Sequence, residues 1–580
     1  MIILVVVTTL TAVTGLLGAV TVACSLGRTG TARTTSDFLV ASRSVTPLWN
    51  ASAISSEYIS AAAFLGTAGL VLAYGADMLW LPIGAAAGYV VLLVLITGPL
   101  RRSGVYTLSD FAEWRLGSRS MRHGVSACVC FIGWFYLLPQ FQGAGVTLRV
   151  VAGLPVWVGW AMVVVVVLGI VLSGGMRSIT VVQAFQFWFK LLALAIPAVA
   201  LVAIWRMHGG PDPTRPHPPE FVRPTTVTVA FHVGLHVPMD TWGRVDGVVD
   251  GRRYDGGEVL LTAGRHVVDE GSRIAFPAGA AVPHVQRIPV QCGDKWARPF
   301  GGGRDHPLFG TYSMLLGMLL GTMGLPHIVI RFYTNRCGRA ARRTVPLVLV
   351  MLSLFYVFPT LYGALGRAFT PELLMTGDAD ATILMLPGRL IPGAAGHLFT
   401  GLVAAGAFAA FVSTSCGVVV AIAGTLSQGV PGGGVREFRL GACVAIAVPL
   451  ALAGFLGTLP AAGLVTLAFT VSACSLCPLL VLGVWWRRLT AAGAGTGLAV
   501  GCACAVAAGL AQILGERPAG WWGALLAQPA IAVVPLTFAV MIVVSLLTPA
   551  RVPAGVDRAM MRLHLPEELL LSRPGRRPGH

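Results

Sequence analysis

Residues 47–73 read PLWNASAISSEYISAAAFLGTAGLVLA, an apolar run with Ser55, Ser56, Glu57, Tyr58 and Ser60 in its middle. About 20 apolar residues are needed to cross a hydrocarbon layer roughly 30 Å thick, so this run is long enough to span one. A carboxylate at that depth is costly, and an ionisable residue inside a span is by default a functional one. Glu57 is therefore the first candidate for chemistry.

Working outward, the chain repeats such runs. Thirteen spans are predicted: 2–26, 47–73, 78–100, 124–152, 156–173, 179–205, 310–330, 345–365, 397–426, 440–456, 462–486, 491–514 and 522–547. The composition agrees, with 55% hydrophobic and only 11% charged residues, where soluble domains carry about 25% charged residues. Mean hydropathy is +0.77. The fold class is an all-α membrane protein of thirteen transmembrane helices, and the expected location is the cell membrane, multi-pass.

The net charge of +17 does not indicate a nucleic-acid partner, because the basic residues sit in short loops between apolar runs. With the N-terminus outside, Arg101, Arg102, Arg115, Arg119 and Arg122 fall on one side. So do Arg331, Arg336, Arg339, Arg342 and Arg343, then Arg487 and Arg488, and the tail from Arg551 to Arg577. That bias places the C-terminus in the cytoplasm. The first apolar run has its positive charges after it (Arg28, Arg33), which makes it a retained helix rather than a cleaved signal.

One connection differs. Residues 206–309 are polar and rich in Gly and Pro, with β-like stretches at Thr225–Val233 and Arg273–Pro277. They read as an extracellular β-rich subdomain. Five of its histidines (His217, His232, His236, His266 and His284) show no metal-ligand spacing. Cys292 is its only cysteine, so no disulfide forms within it. Cys474 and Cys477 form a CxxC inside an apolar helix, which suits helix packing better than zinc.

Cation sites in membranes draw on carbonyls freed by a broken helix and on hydroxyls. Two stretches offer these: Ser55 to Ser60, and Ala410 to Ser415 with Ser413 and Thr414 adjacent. A third stretch, Gly321-Thr322-Met323-Gly324-Leu325-Pro326-His327, predicts a discontinuous helix. Breaks at corresponding places in two halves mark a midplane substrate site between inverted repeats. Lys190, near the middle of the sixth span, is the second ionisable residue inside a span and so a functional candidate, weighed against a packed or snorkelling side chain, the reading favoured here.

The chain resembles the sodium:solute symporter family from Asp37 to about Trp486. The carrying motifs are Asp37–Arg43, Thr107–Glu113, Gly174-Gly175-Met176 with Gln183, Gly324–Phe332, and Ala405–Ala410 leading to Ser413-Thr414. The resemblance implies a LeuT-type fold with two five-helix inverted repeats. The domain divisions are an N-terminal helix and loop (1–36), a first repeat (37–205), the insert (206–309), a second repeat (310–488), two C-terminal helices (489–548) and a cytoplasmic tail (549–580).

It also implies that the co-transported sodium ion is held by the carbonyls of Ser56, Ile59 and Ala410 and the hydroxyls of Ser413 and Thr414. Within the family, Glu57–Gly66 and Gln140–Gly145 resemble the cation/acetate branch. The implied function is sodium-coupled import of a small monocarboxylate such as acetate. Another small organic solute, such as an amino acid, is the alternative, and a transporter-like sensor a more distant one. Glu57, Tyr58, Ser60, Gln140, Gly324 and Pro326 are the expected substrate residues. The expected partners are the organic anion and the lipid bilayer, with no obligate protein partner. No catalytic set appears at membrane depth, so the chain is not expected to be an enzyme.

Overall fold

A computed structural model describes residues 46–565, apart from 208–209, 230–231, 287, 290, 301–305, 335–337, 431–433, 457–460 and 514–519. The predicted first span, 2–26, and the segment 1–36 lie outside the described residues.

The first half begins with α1 (Pro47–Tyr58), which Pro47 opens at its first helical position. The chain then breaks at Ile59 and Ser60 and resumes through a π-helical turn, Ala62–Gly66, into α2 (Thr67–Tyr74). Gly75, at φ 73°, separates α2 from a short 3₁₀ turn and α3 (Trp80–Leu92). Next come α4 (Arg119–Ala152) and α5 (Val156–Met207). At 1.5 Å per residue, 52 helical residues measure about 78 Å, long enough for two crossings. Two apolar stretches, Val156–Leu172 and Ile179–Met207, divide it.

The second half opens with α6 (Pro307–Gly324) and α7 (Pro326–Phe332), which meet at Leu325 with a bend of 49°. Pro326 removes an amide and clashes with the preceding turn, so the break falls where the sequence places it. Then follow α8 (Gly338–Phe369), α9 (Gly393–Gln428), α10 (Val435–Leu456), α11 (Ala461–Cys474) and α12 (Leu476–Trp485). Three further helices are α13 (Ala491–Ile513), α14 (Ala530–Leu547) and the short α15 (Val556–His564), and shorter helical segments lie between the long ones. Among the described residues, nine helices are long and apolar enough to cross a membrane, or ten with the bent pair counted as one span. The chain is thus a mostly helical, multi-pass membrane protein.

α9 is the innermost element. Every residue of its most apolar 18-residue window is buried, and it packs against α5, α4, α10 and α1. Its run of Ala and Gly lets neighbouring backbones approach closely.

Between α5 and α6 the insert folds as a seven-stranded sheet. The strands are β1 (Thr225–Thr228), β2 (Val233–Val237), β3 (Thr241–Val249), β4 (Arg252–Leu261), β5 (Gly264–Val268), β6 (Arg273–Phe276) and β7 (His284–Val285). Their order is β1-β6-β3-β5-β2-β7, with β4 paired to β3. Phe221, Val245, Ile274 and Phe276 form its core, which continues into Leu72, Ala73 and Leu373–Met375 of the helical body. The indole of Trp296 donates to the carbonyls of Val71 (2.8 Å) and Leu72 (3.2 Å), tying the insert to the end of α2. Among the described residues no cluster of three or more His, Cys, Asp or Glu could hold a metal.

Two loop readings are corrected. Arg331 and Arg115 are not loop charges, since both side chains are fully buried. The Arg115 guanidinium donates to the carbonyls of Gly483 (2.8 Å) and Trp486 (3.0 Å) at the end of α12. Arg331 belongs to the centre of the molecule.

Candidate functional site

The site begins with the end of α1. The amide of Ile59 closes the last helical turn on Ser55 O at 3.1 Å, and the amide of Ser60 bonds to Tyr58 O at 2.8 Å. Three carbonyls, those of Ser56, Glu57 and Ile59, are left without a helical continuation. Buried carbonyls need partners, and all three find them on other helices. Thr414 of α9 donates its hydroxyl to Glu57 O (2.7 Å), with Ile59 O at 3.4 Å. The Ser413 hydroxyl lies 2.8 Å from Ser56 O and 3.1 Å from Ala410 O.

The remaining partner is Lys190 of α5. Its ammonium donates to Ser56 O at 2.5 Å and to Ser413 Oγ at 2.8 Å, with Ile59 O at 3.5 Å. The side chain is fully buried. It neither snorkels nor packs against apolar neighbours alone, so the expectation for Lys190 is corrected. The structure gathers Ser56, Ile59, Ala410, Ser413 and Thr414 in one place, with the Lys190 ammonium among them.

One turn back, Glu57 meets Arg331. Arg331 Nε donates to Glu57 Oε2 at 2.6 Å, with both side chains fully buried. The guanidinium also donates to Thr180 Oγ1 at 2.9 Å and to Gln183 Oε1. Gln183 in turn donates to Ser413 O at 2.6 Å and lies 3.4 Å from Glu57 Oε2. Asn50 donates to Arg331 O at 3.3 Å. This network ties α1, α5, α7 and α9 together. Among the described residues Glu57 Oε1 has no hydrogen-bond partner, and it lies against Gly417. A Cβ built there would stand 1.8 Å from that oxygen.

Beyond the break lies a half-open cavity with about 50 Å³ of room inside it. Tyr58, Ser60, Ala62, Ala63, Thr67, Tyr136, Tyr356, Thr466 and Phe469 are among its walls, and no basic side chain lines it. Tyr58 packs edge-on against Tyr89 (5.6 Å) and Phe469 (6.2 Å) and shares a hydrogen bond with Tyr356. Tyr136 shares one with Ser60.

Of the six expected substrate residues, only Tyr58 and Ser60 line this cavity. Glu57 is engaged with Arg331. Gln140 holds the break itself: its Oε1 accepts the Ala61 amide at 2.9 Å, and its Nε2 donates to Tyr136 O at 3.1 Å. Gly324 is backed by Ser472 of α11, while Pro326 faces a separate small recess with Thr107, Ile330 and Ala421.

Sequence reasoning missed Arg331 and Thr180. The signal for Arg331 was available, since its charge follows an apolar stretch with no intervening turn residue.

The helical architecture is shared with a solved transporter. A sodium-coupled sialic acid symporter in a substrate-bound outward-open state superposes with a TM-score of 0.60 at 12% identity, covering 93% of this chain and 98% of that one. An uncharacterized symporter of Cupriavidus necator is 28% identical over 91% of this chain and 90% of its own length. An uncharacterized symporter of Bacillus subtilis is 27% identical over 80% of this chain and 78% of its own. These relatives make the chain a transporter rather than an enzyme. The model of the sodium:solute symporter family matches residues 38–208 and 298–501, stopping at the insert and resuming after it. The chain belongs to the sodium:solute symporter family.

Proposed function

We propose that the chain is a symporter that imports a small monocarboxylate such as acetate by alternating access, driven by a monovalent cation gradient. Family membership makes sodium the first ion to test. The observation that carries the reading is the broken first helix beside a half-open, largely apolar cavity. A helix start leaves amides without intrahelical partners, and half-helix N-termini attract anionic groups. At the break Gln140 takes the amide of Ala61, while Ala62 and Ala63 line the cavity with Ser60. A carboxylate would rest on that helix start, with its short alkyl group among Tyr58, Tyr136 and Phe469. Gln183 stands where the proline and sugar branches of the family tend to carry Asp. Here it is committed to Arg331 and Ser413, which argues against those solutes.

Alternating access would rock α1 and α7, joined through Glu57 and Arg331, against α9 and α5. The test is uptake of radiolabelled acetate into proteoliposomes under an imposed cation gradient, with propionate, pyruvate and proline as competitors. Accumulation suppressed by the monocarboxylates but not by proline is expected. No accumulation of acetate, or suppression by proline alone, refutes the substrate assignment.

A further inference from the structure

The family pattern gives five positions to a diffusible sodium ion, and here a side chain stands among them. The ammonium of Lys190 has three N–H donors. It reaches three oxygens, Ser56 O, Ser413 Oγ and Ile59 O, which join α1 to α9. The Ser413 hydroxyl is free to accept from Lys190 because its own hydrogen can go to Ala410 O. Thr414 satisfies the remaining freed carbonyl, Glu57 O. The freed carbonyls therefore all have donors without a further ion. A sodium ion on the same oxygens would have to displace the ammonium or share its space against like-charge repulsion.

We propose that Lys190 is a tethered cation that takes the place of sodium at this site. The contact between α1 and α9 is then made by a charge that stays with the protein. This rests on reading these five positions as the family's cation site. It means that the cation driving the proposed symport is not held there. It also makes Lys190 the residue that decides ion dependence, since its removal leaves the oxygens but not the charge.

Sodium binding tests this without any transported solute. Purified wild-type protein, Lys190→Ala, Lys190→Met and Ser413→Ala/Thr414→Ala are titrated with radioactive sodium. Their thermal midpoints are compared in sodium and choline chloride at equal ionic strength. Wild type is expected to show no sodium binding that depends on Ser413 and Thr414. Lys190→Ala should gain one saturable sodium site and a sodium-specific rise in midpoint, both lost when Ser413 and Thr414 are also replaced. Lys190→Met, which fills the space without charge, should gain neither.

Saturable sodium binding by wild type that disappears in Ser413→Ala/Thr414→Ala overturns the proposal, as does a folded Lys190→Ala that binds no sodium. Should Lys190→Ala fail to fold, the comparison of wild type with the double variant still decides. Failure of acetate uptake alongside these binding results would count against the substrate reading alone.

Discussion

Removing one side of the Glu57–Arg331 pair exposes how much the centre depends on it. Replacing Arg331 with Met leaves the Glu57 carboxylate fully buried, with Oε1 already lacking a partner. At the roughly 4 Å between charge centres, the direct attraction is about 4 kcal/mol for an effective dielectric near 20. Breaking a buried pair by removing one partner typically costs about 3–5 kcal/mol, because the other charge stays uncompensated. Glu57→Gln should cost a similar amount by stranding the guanidinium, although Thr180 and Gln183 still accept from it. The double variant Glu57→Gln/Arg331→Met should therefore be more stable than Arg331→Met alone, despite carrying two changes. Unfolding by detergent titration of the four proteins gives the coupling energy directly. Stability losses that add to within about 0.5 kcal/mol, the behaviour of independent sites, would refute a central role for the pair.

Gly417→Ala should be poorly folded, because its new methyl would meet Glu57 Oε1 at 1.8 Å. A loss of about 1–3 kcal/mol is expected from such overpacking, read as a lower thermal midpoint in detergent. Gln140→Ala should leave the Ala61 amide unpaired, at about 1–3 kcal/mol, and should raise the KM of uptake more than it lowers expression. Phe469→Ala should weaken monocarboxylate binding by opening one wall of the cavity, and the loss should grow from acetate to propionate in competition assays.

In the insert, His266 and Asp250 form a pair at 2.6 Å. Burial opposes the charged imidazole, but the hydrogen bonds to Asp250 and to Thr262 O outweigh it and raise its pKa. Burial likewise opposes the Asp250 carboxylate, yet the Val267 amide and His266 bring its pKa below the usual range. The His266 contribution is full below about pH 6.5 and fades as pH rises through the raised value. The Asp250 contribution is full above about pH 3.9 and fades as pH falls through the depressed one. Hydrogen-exchange protection around Val267 should therefore be greatest between these limits, and His266→Ala should flatten the profile.

The helical frame was legible because its signals are local. Runs of apolar residues mark spans, and Pro326 after Gly324 marks a break that backbone sterics enforce. The polar stretches at Ser55–Ser60 and Ala410–Ser415 were also readable, since hydroxyls and a carboxylate inside a span have few reasons to be there. What those stretches meet was not readable. Lys190 and Ser56 are 134 positions apart, Arg331 and Glu57 274, and no periodicity links such distances. Loop charge misled for Arg331 for the same reason: a guanidinium at a helix end can turn toward cytoplasm or toward a buried acid. Only the packing of α7 on α1 decides it. The cavity walls were half legible, since Tyr58 and Ser60 flank the break while Tyr136, Tyr356 and Phe469 arrive from three other helices.

The attachment of the insert has a mechanical consequence. The indole of Trp296 is bonded to the carbonyls of Val71 and Leu72 in the final turn of α2, and its own backbone presses on Gly75 so closely that a Cβ there would clash with Trp296 O. The second half of the first broken helix is thus fastened to the insert. A tilt of α2 must carry the sheet with it or shear those bonds, so a ligand or antibody gripping the sheet would act as a brake on the turnover cycle from outside the transport path.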